Sequence, residues 1–238
     1  MIGILGALAQ EVAALKSAMT EVEKDIYLGR TFWRGSLAGQ SVVVVEGGVG
    51  KVRATITATA LVSRYPLVGL IFTGVAASLH DGLRLGDVVL AHRAIEHDFG
   101  VEDGAGFRPG IDFVPGLEAK VLVADPALLR RAQQAHQGSQ LQSLGSHPPR
   151  VLEGLVTSGD IFVGHATVRD RIRAQTQADV VEMEGAAVLR VAQDAGIPCL
   201  LVRSVSDEGS SVDFLTLVDN VAHNSAELVR VILAFGMD

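Results

Sequence analysis

The residues best suited to chemistry lie in two acidic stretches, Val181-Glu182-Met183-Glu184 and Arg203-Ser204-Val205-Ser206-Asp207. Between them, Gly185 to Ala195 has the length of a helix, and Gly196-Ile197-Pro198 stops it. Cys199-Leu200-Leu201-Val202 then reads as a short buried parallel strand. The pattern predicts that Glu184 ends one strand and Asp207 the next, with the helix crossing over. Parallel neighbours lie about 4.8 Å apart, so both carboxylates would share the sheet edge at which open α/β sheets bind ligands. A pair of acids there can do general acid/base or sugar chemistry.

Other groups fall at similar places. Glu11 follows the strand-like run Ile2–Ala7, Gly74 to Ala77 follow Val68–Thr73, and Ser158-Gly159-Asp160-Ile161-Phe162 follow Val151–Thr157. If these strands run parallel, the groups converge on one rim. Any one of these acids could equally be a helix cap or a solvated charge; it is their repetition at strand ends that argues for a site.

The elements that must position them alternate along the chain. Leu8, Val12, Leu15 and Met19 mark one helical face, and Val52, Ile56 and Ala60 another that ends near Pro66. Tyr27–Trp33, Ser41–Glu46 and Asp87–Ala94 read as strands, and Ala127–Ala135 as a helix. Phe214, Val218, Val221, Ser225, Leu228 and Ile232 keep the 3.6-residue period of a last long helix. The alternation predicts an α/β fold in one domain over 1–238, with a mixed or mostly parallel sheet and helices on both faces. Phe99–Gly116, rich in Gly, Pro and aromatics, reads as a long functional loop, and Gln137–Pro149 as a mobile surface loop without a chemical role.

Composition narrows the partners. Twenty Lys and Arg against 27 Asp and Glu give a net charge of −7, and no basic patch is present, so nucleic acid and anionic membrane surfaces are excluded as expected partners. The uncharged stretch Tyr65–Leu79, apart from being broken by Pro and Gly, is too short to span a membrane. Met1–Ala7 lacks a basic leader region, and a cytoplasmic protein is expected. The lone Cys199 reads as a buried core thiol. Gly47-Gly48-Val49-Gly50-Lys51 suggests a phosphate loop, but Val45 stands where its first Gly is required and Val52 where Ser or Thr would hold Mg²⁺. No dinucleotide fingerprint, nucleophile elbow or metal-ligand spacing occurs, so neither cofactor nor metal is expected. His97-Asp98 reads as a surface or interface hydrogen bond.

Across nearly its whole length the chain resembles the nucleoside phosphorylase superfamily, and within it the 5′-methylthioadenosine/S-adenosylhomocysteine nucleosidases. The resemblance rests on Ile2-Gly3-Ile4-Leu5-Gly6-Ala7 with Glu11, Gly48-Val49-Gly50-Lys51, Thr73-Gly74-Val75-Ala76, Gly86-Asp87-Val88-Val89, Ser158-Gly159-Asp160, and the two acidic stretches. It implies a three-layer α/β/α sandwich around a central mixed sheet, a small-molecule nucleoside substrate, and cleavage of an N-ribosyl bond to adenine. Asp207, helped by Ser206, would protonate the purine, which requires its pKa to be raised. Glu184 would hold the ribose hydroxyls and offset developing positive charge. Glu11, with Arg203 nearby, would activate water. Phe162 would stack on the base while backbone groups of Phe162 and Val163 read its edge. Met183 would pack on the ribose, Leu8, Val49 and Ala76 would line the ribose and 5′ substituent, and Glu182 and Phe214 complete the implied binding set. The resemblance also implies a homodimer with the Phe99–Gly116 loop at its interface.

Glu11 favours water over phosphate as nucleophile, because a carboxylate repels an incoming dianion by roughly several kcal/mol in a low-dielectric pocket. Three departures bear on the 5′ substituent: Thr73-Gly74-Val75-Ala76-Ala77-Ser78 lacks a hydroxyl near the ligand, the loop after Asp207 is short with Ser211 in place of an aromatic, and Phe99–Gly116 aligns loosely. Hydrolysis of futalosine, phosphorolysis, and nucleoside binding without turnover are the alternatives.

Overall fold

The computed structural model describes residues 1–104, 106–111, 114–115, 121–207 and 211–236, with the side chains of 207 and 211–217 left aside. Its strands are β1 (Ile2–Gly6), β2 (Thr20–Tyr27), β3 (Arg30–Leu37), β4 (Gln40–Glu46), β5 (Gly69–Ser78), β6 (Val88–Glu96), β7 (Gly100–Asp103), β8 (Gly106–Pro109), β9 (Leu122–Val123), β10 (Val151–Ser158), β11 (Val180–Glu182) and β12 (Cys199–Asp207). The helices are α1 (Ala9–Ala18), α2 (Lys51–Arg64), α3 (Pro126–Ala135), α4 (Ala166–Thr176), α5 (Gly185–Asp194) and α6 (Ser211–Phe235).

Strands buried on both sides must be apolar throughout, and here their alternate residues feed two cores. Leu5, Val43, Val45, Phe72 and Leu201 pack with Ala54, Ala58 and Leu61 of α2 and Val188 and Leu189 of α5. Ile2, Ile4, Val42, Val44, Ile71, Leu200 and Val202 pack with α1, α3 and α6 through Val12, Leu15, Leu128, Leu228 and Ile232. The sheet is therefore the middle of three layers, and it is mixed, as expected.

Its order is β11-β10-β6-β12-β5-β1-β4-β3-β2, and β11 also pairs with β5. Here the expectation of adjacent parallel strands ending in Glu184 and Asp207 is corrected. β11 lies parallel to β10 and antiparallel to β5, whereas β12 lies parallel to β5 and antiparallel to β6. The two acidic stretches still meet, because Ala77 of β5 is in register with Val181 on one side and Asp207 on the other. The far end of β5 thus closes five strands into a ring.

Other expectations shift for local reasons. The strand expected over Tyr27–Trp33 is a hairpin: Leu28 (φ 49°) and Gly29 (φ 70°) form a two-residue turn between β2 and β3, matching the primed turns that suit strand twist. β2 holds only Val22, Ile26 and Tyr27 among Glu21, Glu23, Lys24 and Asp25, too sparse an apolar pattern to read as a strand. In α2 two of the three residues of the expected stripe face outward, Val52 at 69% and Ile56 at 40% exposure, while Ala60 is buried with Ala54, Thr57, Ala58 and Leu61. Gln137–Pro149 is anchored: Asn224 of α6 bonds both Gln142 N–H and Gln142 C=O, and Leu141 packs on the α6 side of the core. Phe99–Gly116 contains the β7–β8 hairpin, with Gly100 in register with Pro109. The loop 208–210 lies outside the described residues.

Candidate active site

Glu11 sits in the first turn of α1, buried at 4% exposure. Its Oε2 accepts from Ala7 N (2.6 Å) and Leu8 N (2.8 Å), and its Oε1 from Val75 N (3.0 Å). The helix N-terminus and the β5 backbone therefore fix one carboxylate between them. Gly74 is a glycine for the same reason: a Cβ there would lie 2.4 Å from Glu11 Oε1. Burial pushes the Glu11 carboxyl above its usual range, against the pull of Arg203 and of the three N–H groups.

Arg203 is 1% exposed on β12. It donates to the Phe72 carbonyl (3.0 Å) and to Glu182 Oε2 (3.0 Å), and its guanidinium lies 3.9 Å from the Phe72 ring centroid. Its Nε is buried without a hydrogen-bond partner. Glu182 is fully engaged, accepting from Arg203, Gly185 N, Glu184 N and the Ser158 hydroxyl. It lines the cavity yet spends its lone pairs on the protein.

Glu184 caps no group of its own helix; its Oε1 accepts from Gly50 N (2.7 Å), 134 residues away at the start of α2. Burial, then the neighbouring charge of Glu182, pushes its pKa up to about 8, with Glu11 adding and Gly50 and Arg203 opposing. Three buried carboxylates, Glu11, Glu182 and Glu184, thus face one guanidinium.

These groups surround a cavity of about 210 Å³. Of the residues expected in the site, Leu8, Glu11, Val49, Ala76, Phe162, Val163, Glu182, Met183, Glu184 and Ser206 line it. Phe162 stands at the mouth, 50% exposed, and Val163 is buried below it. Arg203 stands behind the wall, touching the cavity's lining through Glu182. Asp207 is placed by its backbone alone, beside Ala77, and the side chain of Phe214 lies outside the described residues. Ala7, Val75, Ala77, Ile161 and Val181 also line the cavity and were not foreseen as site residues. Each adjoins a residue that was, and that adjacency was the available signal. His97 is no surface group: it is 4% exposed with Nε2 unpartnered, and burial holds its pKa down. Asp98 beside it ties Lys51 to the Asp160 backbone. Among the described residues, no three His, Cys, Asp or Glu side chains are grouped to hold a metal ion.

The family model of the phosphorylase superfamily matches residues 1–235. The chain belongs to the phosphorylase superfamily. Within the phosphorylase superfamily it is 33% identical to a 5′-methylthioadenosine/S-adenosylhomocysteine nucleosidase of Mycobacterium bovis, over 98% of this chain and 96% of the relative. A nucleosidase of that name from Colwellia psychrerythraea, solved with adenine, superposes with a TM-score of 0.86 at 30% identity, covering 98% of this chain and 94% of the other. A futalosine hydrolase of Helicobacter pylori superposes with a TM-score of 0.85 at 28% identity, covering 98% and 96%.

Proposed function

We propose that this chain is an N-glycosyl hydrolase that releases adenine from 5′-methylthioadenosine and S-adenosylhomocysteine in the cytoplasm. The observation that carries the reading is the excess of buried acid around the cavity. Breaking an N-ribosyl bond puts cationic character on the sugar. Carboxylates held beside the ribose gain attraction as that charge appears, which is stronger binding of the transition state than of the substrate. In this reading Glu184 faces the ribose hydroxyls, Glu11 takes a proton from the attacking water, and Arg203 steadies the acids through Glu182. Asp207, with Ser206, delivers the proton to the purine, and Phe162 stacks on it. The names of the relatives support the substrate class. A phosphate dianion would meet the Glu11 carboxylate, so water is the nucleophile.

The test is base release from 5′-methylthioadenosine in phosphate-free buffer and again with phosphate added. Release at the same rate in both supports hydrolysis. Dependence on phosphate overturns it, and release from futalosine alone selects the other hydrolase named among the structural neighbours. We further propose a homodimer. Its support is the apolar surface left open by the fold: Phe99, and Val52 and Ile56 on a groove between α2 and α5 that Val191 also lines.

A further inference from the structure

The glycine-rich stretch Gly47–Lys51 resembles a phosphate loop and takes no phosphate-loop part in the proposed chemistry. It opens α2, whose first turn contains no acid and whose N-cap, Gly50 (φ 97°), has no side chain. A helix start of this kind leaves several N–H groups to be satisfied from elsewhere. Two carboxylates from distant loops do so. Gly50 N donates to Glu184 Oε1 (2.7 Å), and Lys51 N donates to Asp160 Oδ1 (2.7 Å). The helix end that would attract a phosphate is thus occupied by protein acids.

The Lys51 side chain locks the same assembly from the other side. Its Nζ lies 2.8 Å from Glu96 Oε1 and 2.7 Å from Asp98 Oδ1. The second oxygen of Asp98 accepts from Asp160 N (2.7 Å). One lysine thereby joins the end of β6, the loop after β10 that carries Asp160 and Phe162, and the start of α2 that presents Gly50 to Glu184. Lys51 and Glu96 are half-buried, and Asp98 and Asp160 are exposed. Without the ammonium, the Glu96 and Asp98 carboxylates would be left facing each other.

We propose that Lys51 is a positioning residue, which holds the base-side loop of Phe162 and the ribose-side contact of Glu184 in one register so that both close on the same nucleoside. It touches no reacting atom. This rests on the proposed nucleosidase reading for the identity of the ligand, though not for the clamp itself.

Steady-state kinetics with 5′-methylthioadenosine on Lys51→Met and Lys51→Arg test it, beside thermal melts and calorimetric titration with adenine. Lys51→Met is expected to raise KM about tenfold, with kcat changed far less, since the loss falls on ligand placement. Lys51→Arg, which can reach both carboxylates, recovers most of that loss. Asp160→Ala keeps the ammonium and removes the cap on Lys51 N; it moves KM in the same direction even if Lys51→Met fails to fold. Wild-type KM in both Lys51→Met and Asp160→Ala overturns the proposal. So does a loss of melting temperature with KM unchanged, or an equal defect in Lys51→Arg and Lys51→Met. If the wild-type protein cleaves no 5′-methylthioadenosine, the function reading fails by itself. Adenine affinity then decides on the clamp, weakened in Lys51→Met if it stands and unchanged if it does not.

Discussion

Glu184 shows what crowding does to a single residue. Its ordinary pKa of 4.5 is raised to about 8 by burial and by Glu182. An acid that is harder to ionise in the fold than in the open chain stabilises the fold most below its unfolded pKa. That contribution is lost as pH climbs from about 4.5 towards about 8, because the unfolded chain releases the proton first. Glu11, shifted the same way by burial, adds to the trend. The melting temperature should therefore fall between pH 5 and pH 8, and Glu184→Gln should flatten that fall. A melt series in which the variant drops as steeply as the wild type would refute the assignment. Sequence alone pointed to Glu11 and Glu184 but not to what holds them. Their partners are backbone N–H groups of Ala7, Leu8, Val75 and Gly50, and no residue type announces such a donor.

At the scale of elements, β5 does the assembling. Its Gly74 lies against Glu11, its Val75 N–H holds that carboxylate, and its Ala77 stands between β11 and β12. Gly74→Ala is expected to lower base release about a hundredfold by displacing Glu11, with the substrate-free fold retained, since Gly74 lies outside the left-handed region. Unchanged turnover in this variant would mean that Glu11 has no positional demand. The last helix and the apolar strands were legible because their periodicity is set by burial on known faces. The route of β11 was not, because three residues pairing with two strands of opposite direction leave no pattern in the chain. The face of α2 differs from the expected one because close packing on the sheet selects Ala54, Ala58 and Leu61, while Val52 and Ile56 look outward.

For the whole molecule, that outward face is the basis of the proposed dimer. Sedimentation at micromolar concentration should give twice 25.0 kDa, and Ile56→Glu should shift the mass towards one chain; a single-chain mass for the wild type would sink the idea. The three-layer arrangement was foreseen from the resemblance and from alternation of strand-like and helical runs, and the two cores on opposite sheet faces bear it out.

Ring closure through β5 has one more consequence, for how copies of this chain can associate. A sheet that closes on itself has no border there at which a foreign strand could add. The border that remains along the main path is β2, paired only with β3. It carries Glu23, Lys24 and Asp25 between the exposed Val22 and Ile26, and its ladder shifts register near Glu21, which takes φ 54°. A kinked, charged margin of this kind discourages strand addition. Along this path the fold therefore offers a second copy of the chain only one strand margin, and a broken one.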